Sequence, residues 1–170
     1  INSVLSWRAQ ADNPDNAGEK RIEKVYLSDR SATGEDVIRV KAGKVGEVIM
    51  KLDDQIVLVK LLEELAPRTC QIIRSHLPLE SRLNHAKICD NEVFFQVPFF
   101  IDEKENFTFP KVGDLGFWNV RQTICIWYDK MEPLGPTILF GRIIENLEGF
   151  KKIAMKTWIK QGTIIRVEIK

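Results

Sequence analysis

Short apolar runs parted by turn residues constrain this chain more than any other feature in it. Gly113 to Val120, Thr123 to Tyr128 and Thr137 to Ile144 are each strand-sized, and the breaks between them carry Arg, Gln, Pro and Gly. That spacing belongs to an all-β barrel or sandwich. Glu92 to Phe100 adds a further strand, with Val93, Phe94, Phe95, Val97, Phe99 and Phe100 broken only by Gln96 and Pro98. Pro98 has no N–H to give a ladder, so it belongs at an edge, a bulge or the strand's end. Thr163 to Ile169 alternates Ile165, Val167 and Ile169 with Arg166 and Glu168, a closing strand. Earlier in the chain, Val37 to Val40 and Val45 to Leu52 are expected to pair as a hairpin through Ala42-Gly43-Lys44, and Arg21 to Leu27 reads as an edge strand.

Helices are expected at three places. Asp53 and Asp54 stand just ahead of Ile56, Val57, Leu58, Val59, Leu61, Leu62 and Leu65, where a carboxylate can cap the first helix. Pro67 ends that segment and opens a second, in which Cys70, Ile73 and Leu77 form a buried stripe with His76 beside it as a surface or capping residue. Glu145 to Ala154 is the third, with Leu147, Phe150 and Ile153 on one side. Residues 11–18, 28–35, 78–87 and 102–110 read as loops or irregular connections. The expected fold is mainly β: a closed barrel of about eight strands capped by two to three helices, formed by residues 36–170 behind an N-terminal extension of residues 1–35.

Charge and cysteine usage exclude several functions. With 25 basic and 24 acidic residues the formal charge is +1, which gives no global attraction to nucleic acid or an anionic membrane, although residues 142–170 carry a modest basic bias. No apolar run reaches the roughly 18 residues of a membrane span, so a soluble protein is expected. Cys70, Cys89 and Cys125 are odd in number and far apart, which argues for buried thiols in a reducing, cytoplasmic setting. Neither these nor His76 and His85 have metal-ligand spacing, and no metal or cofactor is expected. A nucleophile elbow and a phosphate-binding loop are both missing; Gly43-Lys44-Val45-Gly46 reads as a turn, and Asp53-Asp54 as a cap rather than a catalytic dyad. The chain starts at Ile1 without Met, so an upstream segment is expected to have been removed or left out.

The order of three segments resembles a cyclophilin. Gly113-Asp114-Leu115-Gly116-Phe117-Trp118-Asn119 is similar to the family's Gly-x-Leu-Ser-apolar-Ala-Asn run. Phe140-Gly141-Arg142-Ile143-Ile144-Glu145, leading to Lys151-Lys152-Ile153, resembles its Phe-Gly-Lys-Val-Val-Glu segment and the helix after it. Leu65-Ala66-Pro67-Arg68-Thr69 looks like the start of its first capping helix. The layout from residue 36 onward resembles more closely a small prokaryotic group of cyclophilin-like proteins of uncharacterised function, over about four fifths of the chain.

The resemblance implies a closed barrel with a ligand groove, and it also marks what this chain lacks. Gln96 stands where a prolyl isomerase has its Arg, no Gln-Gly-Gly-Asp follows, and Leu134-Gly135-Pro136-Thr137 has neither Trp nor His. No catalytic residue is therefore assigned, and the alternative is a divergent isomerase using Arg121 or Gln96 to weaken amide resonance. By the resemblance, Phe95, Gln96, Trp118, Asn119, Arg121, Gln122 and Ile124 border the groove, a set suited to a peptide or a small molecule bearing a carboxylate. Trp118 and Trp127 read first as core aromatics and second as walls of a site. Arg121 reads first as a solvated loop residue and second as a carboxylate clamp. The remaining reading the sequence leaves open is a scaffold or oligomerisation module, in which residues 1–35 dock a partner or a second copy of the chain.

Overall fold

In the computed structural model, which describes residues 46–170 together with Val25–Tyr26 and Val37–Ile38, the segment expected as the first helix is a strand. Strand β3 (Glu47–Leu52) turns at Asp53-Asp54 into β4 (Gln55–Leu61), pairing antiparallel from Glu47↔Lys60 to Leu52↔Gln55. Asp53 takes a φ of +48°, a left-handed conformation that Asp tolerates better than most residues. The carboxylates read as a helix cap are thus the turn of a hairpin. The expected partner of residues 45–52 is also different. Strand β2 (Val37–Ile38) pairs with β1 (Val25–Tyr26) in a separate two-stranded sheet, whereas both edges of β3 are taken by β4 and by the strand at the end of the chain.

After β4, helix α1 (Pro67–Ser75) starts at a proline, as the sequence implies, and buries Thr69, Cys70 and Ile73. Its own side chains supply no cap. Glu105, from a distant loop, accepts from Thr69 N at 2.8 Å, Thr69 Oγ1 at 2.9 Å and Arg68 N at 3.2 Å, satisfying the free amides of the first turn. The next segment, expected as irregular, is β5 (Leu79–His85), in which Leu83 and His85 are buried while Glu80 and Arg82 are exposed.

The remaining strands are β6 (Asp90–Gln96), a short β7 (Phe107–Thr108), β8 (Asp114–Trp118), β9 (Thr123–Met131), β10 (Thr137–Glu145) and β11 (Thr163–Ile169). Helix α2 (Leu147–Thr157) lies between the last two, and Asn146 Oδ1 caps it by accepting from Gly149 N at 3.1 Å. Pro98 falls just past the end of β6, where its missing N–H costs nothing.

The strands run in the order β4-β3-β11-β5-β6-β9-β8-β10, and β10 pairs back onto β4 through Gly141↔Leu61 to Glu145↔Leu58. Eight antiparallel strands therefore close into a barrel. Strand β7 is the extra one, paired with Thr137 and Ile138 at the start of β10. Side chains of all eight strands, joined by Cys70 and Ile73 of α1 and by Phe150, Ile153 and Ala154 of α2, form the main core. No helix among the described residues is long and apolar enough to cross a membrane.

Candidate functional site

Pairing of β6 with β9 places Glu92 opposite Trp127, Phe94 opposite Cys125 and Gln96 opposite Thr123. Because strand side chains alternate, Val93, Phe95, Ile124, Ile126 and Tyr128 point into the barrel, and Glu92, Phe94, Cys125 and Trp127 lie on its outer face. That outer face is a second, smaller core. Cys125, Trp127 and Leu139 are buried there, with Phe94, Trp118 and Met131 packed against them. Gly116 makes the arrangement possible. A Cβ at this position would lie 2.9 Å from the Trp127 ring and 2.7 Å from Thr137 Cγ2, so only glycine lets the indole lie across β8.

Glu92 is the polar centre of this face and is only 3% exposed. A register shift between Asp90 and Glu92, with Asp90 at a φ of +56°, interrupts regular pairing just before it. Its Oε2 accepts from Trp127 Nε1 at 2.9 Å, and the thiols of Cys125 and Cys89 lie close enough to favour the ionised carboxylate. Burial raises its pKa above the usual carboxylate value, and these three neighbours offset only part of that rise. Among the described residues no Lys, Arg or His pairs with it. Burial likewise pushes the Cys89 thiol up to about 12 and the Cys125 thiol well above its usual value, with the Glu92 charge adding to both shifts. Both sulfurs are therefore protonated at neutral pH, and neither is an activated nucleophile.

A cavity of about 100 Å³ opens beside Glu92, between Cys125, Trp118 and Trp127 on the sheet, Cys89 in the 3₁₀ turn before β6, and the Pro133-Leu134-Gly135-Pro136 loop. A single water needs only about 10–15 Å³ of such space, so the cavity admits a molecule of a few heavy atoms. A second recess of about 300 Å³ lies against Pro78, Leu79, Glu80, Arg166 and Glu168. The Arg166–Glu80 ion pair there is well exposed, at 61% and 53% for the two side chains, and offers no desolvated group for chemistry.

The seven residues expected at a groove gather where β6, β8 and β9 meet, with Phe95 opposite Ile124 and both Gln96 and Trp118 opposite Thr123, but their side chains face different ways. Phe95 and Ile124 are inward core residues, 1% and 3% exposed. Gln96 ends β6 with its side chain in solvent, and its carbonyl accepts from Ser81 Oγ at 2.8 Å. Asn119 and Arg121 lie in a single 3₁₀ turn after β8, and Arg121 forms no ion pair among the described residues. Gln122 takes a φ of +51°, and its Nε2 donates to Phe99 O at 3.4 Å. Only Trp118, half-buried, lines the Glu92 cavity. Sequence reasoning missed Glu92, Cys89 and Cys125; the available signal was an acid sharing one strand face with Phe94.

A closed antiparallel barrel with a buried acid on its outer face is the class that fold and site define. The profile of the cyclophilin-like family matches residues 38–161, and the chain belongs to that family. The solution structure of the hypothetical protein AF2241 from Archaeoglobus fulgidus is similar, with 25% identity and a TM-score of 0.58 over 76% of this chain and 98% of that one. The structure of McbB in complex with tryptophan also matches, at 17% identity and a TM-score of 0.66 over 72% of this chain and 44% of McbB. The chain thus spans less than half of McbB, and at that identity the likeness is one of fold. No curated protein matches the sequence.

Proposed function

We propose that this barrel binds a small molecule in the outer-face cavity walled by Glu92, Trp118 and Trp127. The observation that carries this reading is a buried carboxyl group that faces open space and has no cationic partner among the described residues. Burying an acid this way costs stability, and an apolar side chain of the same shape would avoid the cost. A cavity with a few placed polar groups in aromatic walls is the usual form of a ligand site. The protonated thiols and the exposed Gln96 at the isomerase Arg position favour binding over turnover.

The test is a titration with fragments of a few heavy atoms, followed through the tryptophan indole N–H signals. Ligands are expected to move the Trp127 indole signal in a saturable way, to lose affinity in Trp118→Ala, and to be unaffected by Arg121→Ala. Ligands that instead shift the backbone signals of Arg121 and Gln122 and leave Trp127 still would place the site on the exposed rim. Prolyl isomerisation is expected at the uncatalysed rate; acceleration that disappears in Arg121→Ala would overturn the binding-only reading.

A further inference from the structure

Resting on that reading of the cavity, we infer that its ligand is a small organic cation, an ammonium or guanidinium group of a few heavy atoms. Four observations select this chemistry. The lining contains one ionisable oxygen acid, Glu92, and no basic side chain: the remaining walls are Cys89, Cys125, two tryptophans, Thr137 and the Pro133–Pro136 loop. An anionic ligand would face the Glu92 carboxyl group in a poorly solvated space with nothing to offset the repulsion. A neutral ligand would satisfy hydrogen bonding but leave the buried acid uncompensated. A cation supplies both the donors and the missing charge.

The walls fit the same class. Trp118 and Trp127 present indole rings beside the carboxyl group, and indole faces attract cations most strongly of the aromatic side chains. Trp127 is held in place because its Nε1 is already committed to Glu92 and its ring is seated on Gly116. The cavity volume of about 100 Å³ sets the size limit. The raised pKa of Glu92 agrees: an acid without a countercharge resists ionisation, and a bound cation supplies the countercharge that favours the carboxylate.

The experiment compares probes of nearly the same shape, one a cation and one neutral. Methylguanidinium and methylurea are titrated into the full chain, with methylammonium as a second cation and acetate as the anionic control, and the Trp127 indole signal is the readout. Methylguanidinium is expected to bind at least about tenfold more tightly than methylurea, a difference of about 1.4 kcal/mol. In Glu92→Gln the two are expected to come within about threefold of one another. The wild-type comparison stands alone if that variant does not fold. Methylurea or acetate binding as tightly as the cations would overturn the cation assignment while leaving the cavity as a binding site. No response from Trp127 to any probe or to the wider fragment panel would overturn both.

Discussion

Trp127 and Tyr128 are neighbours on β9 that face opposite sides of one sheet, and each holds a buried titratable group. On the outer face Trp127 Nε1 donates to Glu92 at 2.9 Å; on the inner face the Tyr128 hydroxyl lies 2.8 Å from His85 Nε2. The two pairs look alike by burial, with Glu92 at 3% and His85 at 5% exposed. They differ in what surrounds them. His85 is closed in by Tyr128 and by Trp158, whose ring meets it edge-on at 4.4 Å, and its Nδ1 has no partner among the described residues. Glu92 borders a cavity. A buried polar group alone therefore does not mark a site; space beside it that a ligand can occupy does.

The most severe test of the comparison removes its outer half. Trp127→Ala is expected to cost about 3–5 kcal/mol in urea unfolding. A loss under about 1 kcal/mol would mean that the outer cluster is no second core. Next in size, Gly116→Ala is expected to cost about 1–3 kcal/mol by overpacking against Trp127 and Thr137. Combining it with Thr137→Ser, which deletes the Cγ2 nearest the new methyl, should restore part of the loss in a double-mutant cycle; strict additivity would place the strain elsewhere. Tyr128→Phe takes the hydroxyl from His85 and is expected to cost about 1 kcal/mol without altering ligand binding at Trp127.

The smallest effect, a difference in slope against pH, separates the faces most cleanly. Burial raises Glu92 above its usual 4.5, so its contribution to stability is fully present below that pH and is lost as pH rises through the folded value. Burial, with a smaller contribution from the Lys87 charge, holds His85 below its usual 6.5, so its contribution is present above that pH and is lost as pH falls through the folded value. Glu92→Gln should accordingly gain stability over wild type as pH rises past 4.5. His85→Gln should flatten the acid limb below 6.5. Parallel stability curves for wild type and both variants would contradict the two assignments together.

The barrel was legible from sequence wherever alternation and turn chemistry agreed, as in β8, β9, β10 and β11, all of which form where expected. Two segments misled for definite reasons. In β4, Val57, Leu58 and Val59 are all buried, so the alternation that marks a strand is erased and a run of leucines imitates a helix. Asp53 deepened the error, because the side chain that caps helices is also one that tolerates a tight turn. In β5 the inward positions include Ser81 and His85, so polar composition hid a period of two. The site was harder still. Glu92 is enclosed by groups distant in sequence, Trp127 on β9 and the Pro133–Pro136 loop across the cavity, and local pattern carries no trace of those neighbours.

The placement of β11 bears on how the protein is made. Thr163–Ile169 is the last strand in sequence, yet it sits between β3 and β5, hydrogen-bonded to both. During synthesis every other strand leaves the ribosome first, and the ring lacks one stave until these residues arrive. Until then the facing edges of β3 and β5 are open ladders. The groups that enclose Glu92 and His85 all precede β11 in the chain, so what waits on Thr163–Ile169 is closure of the ring itself.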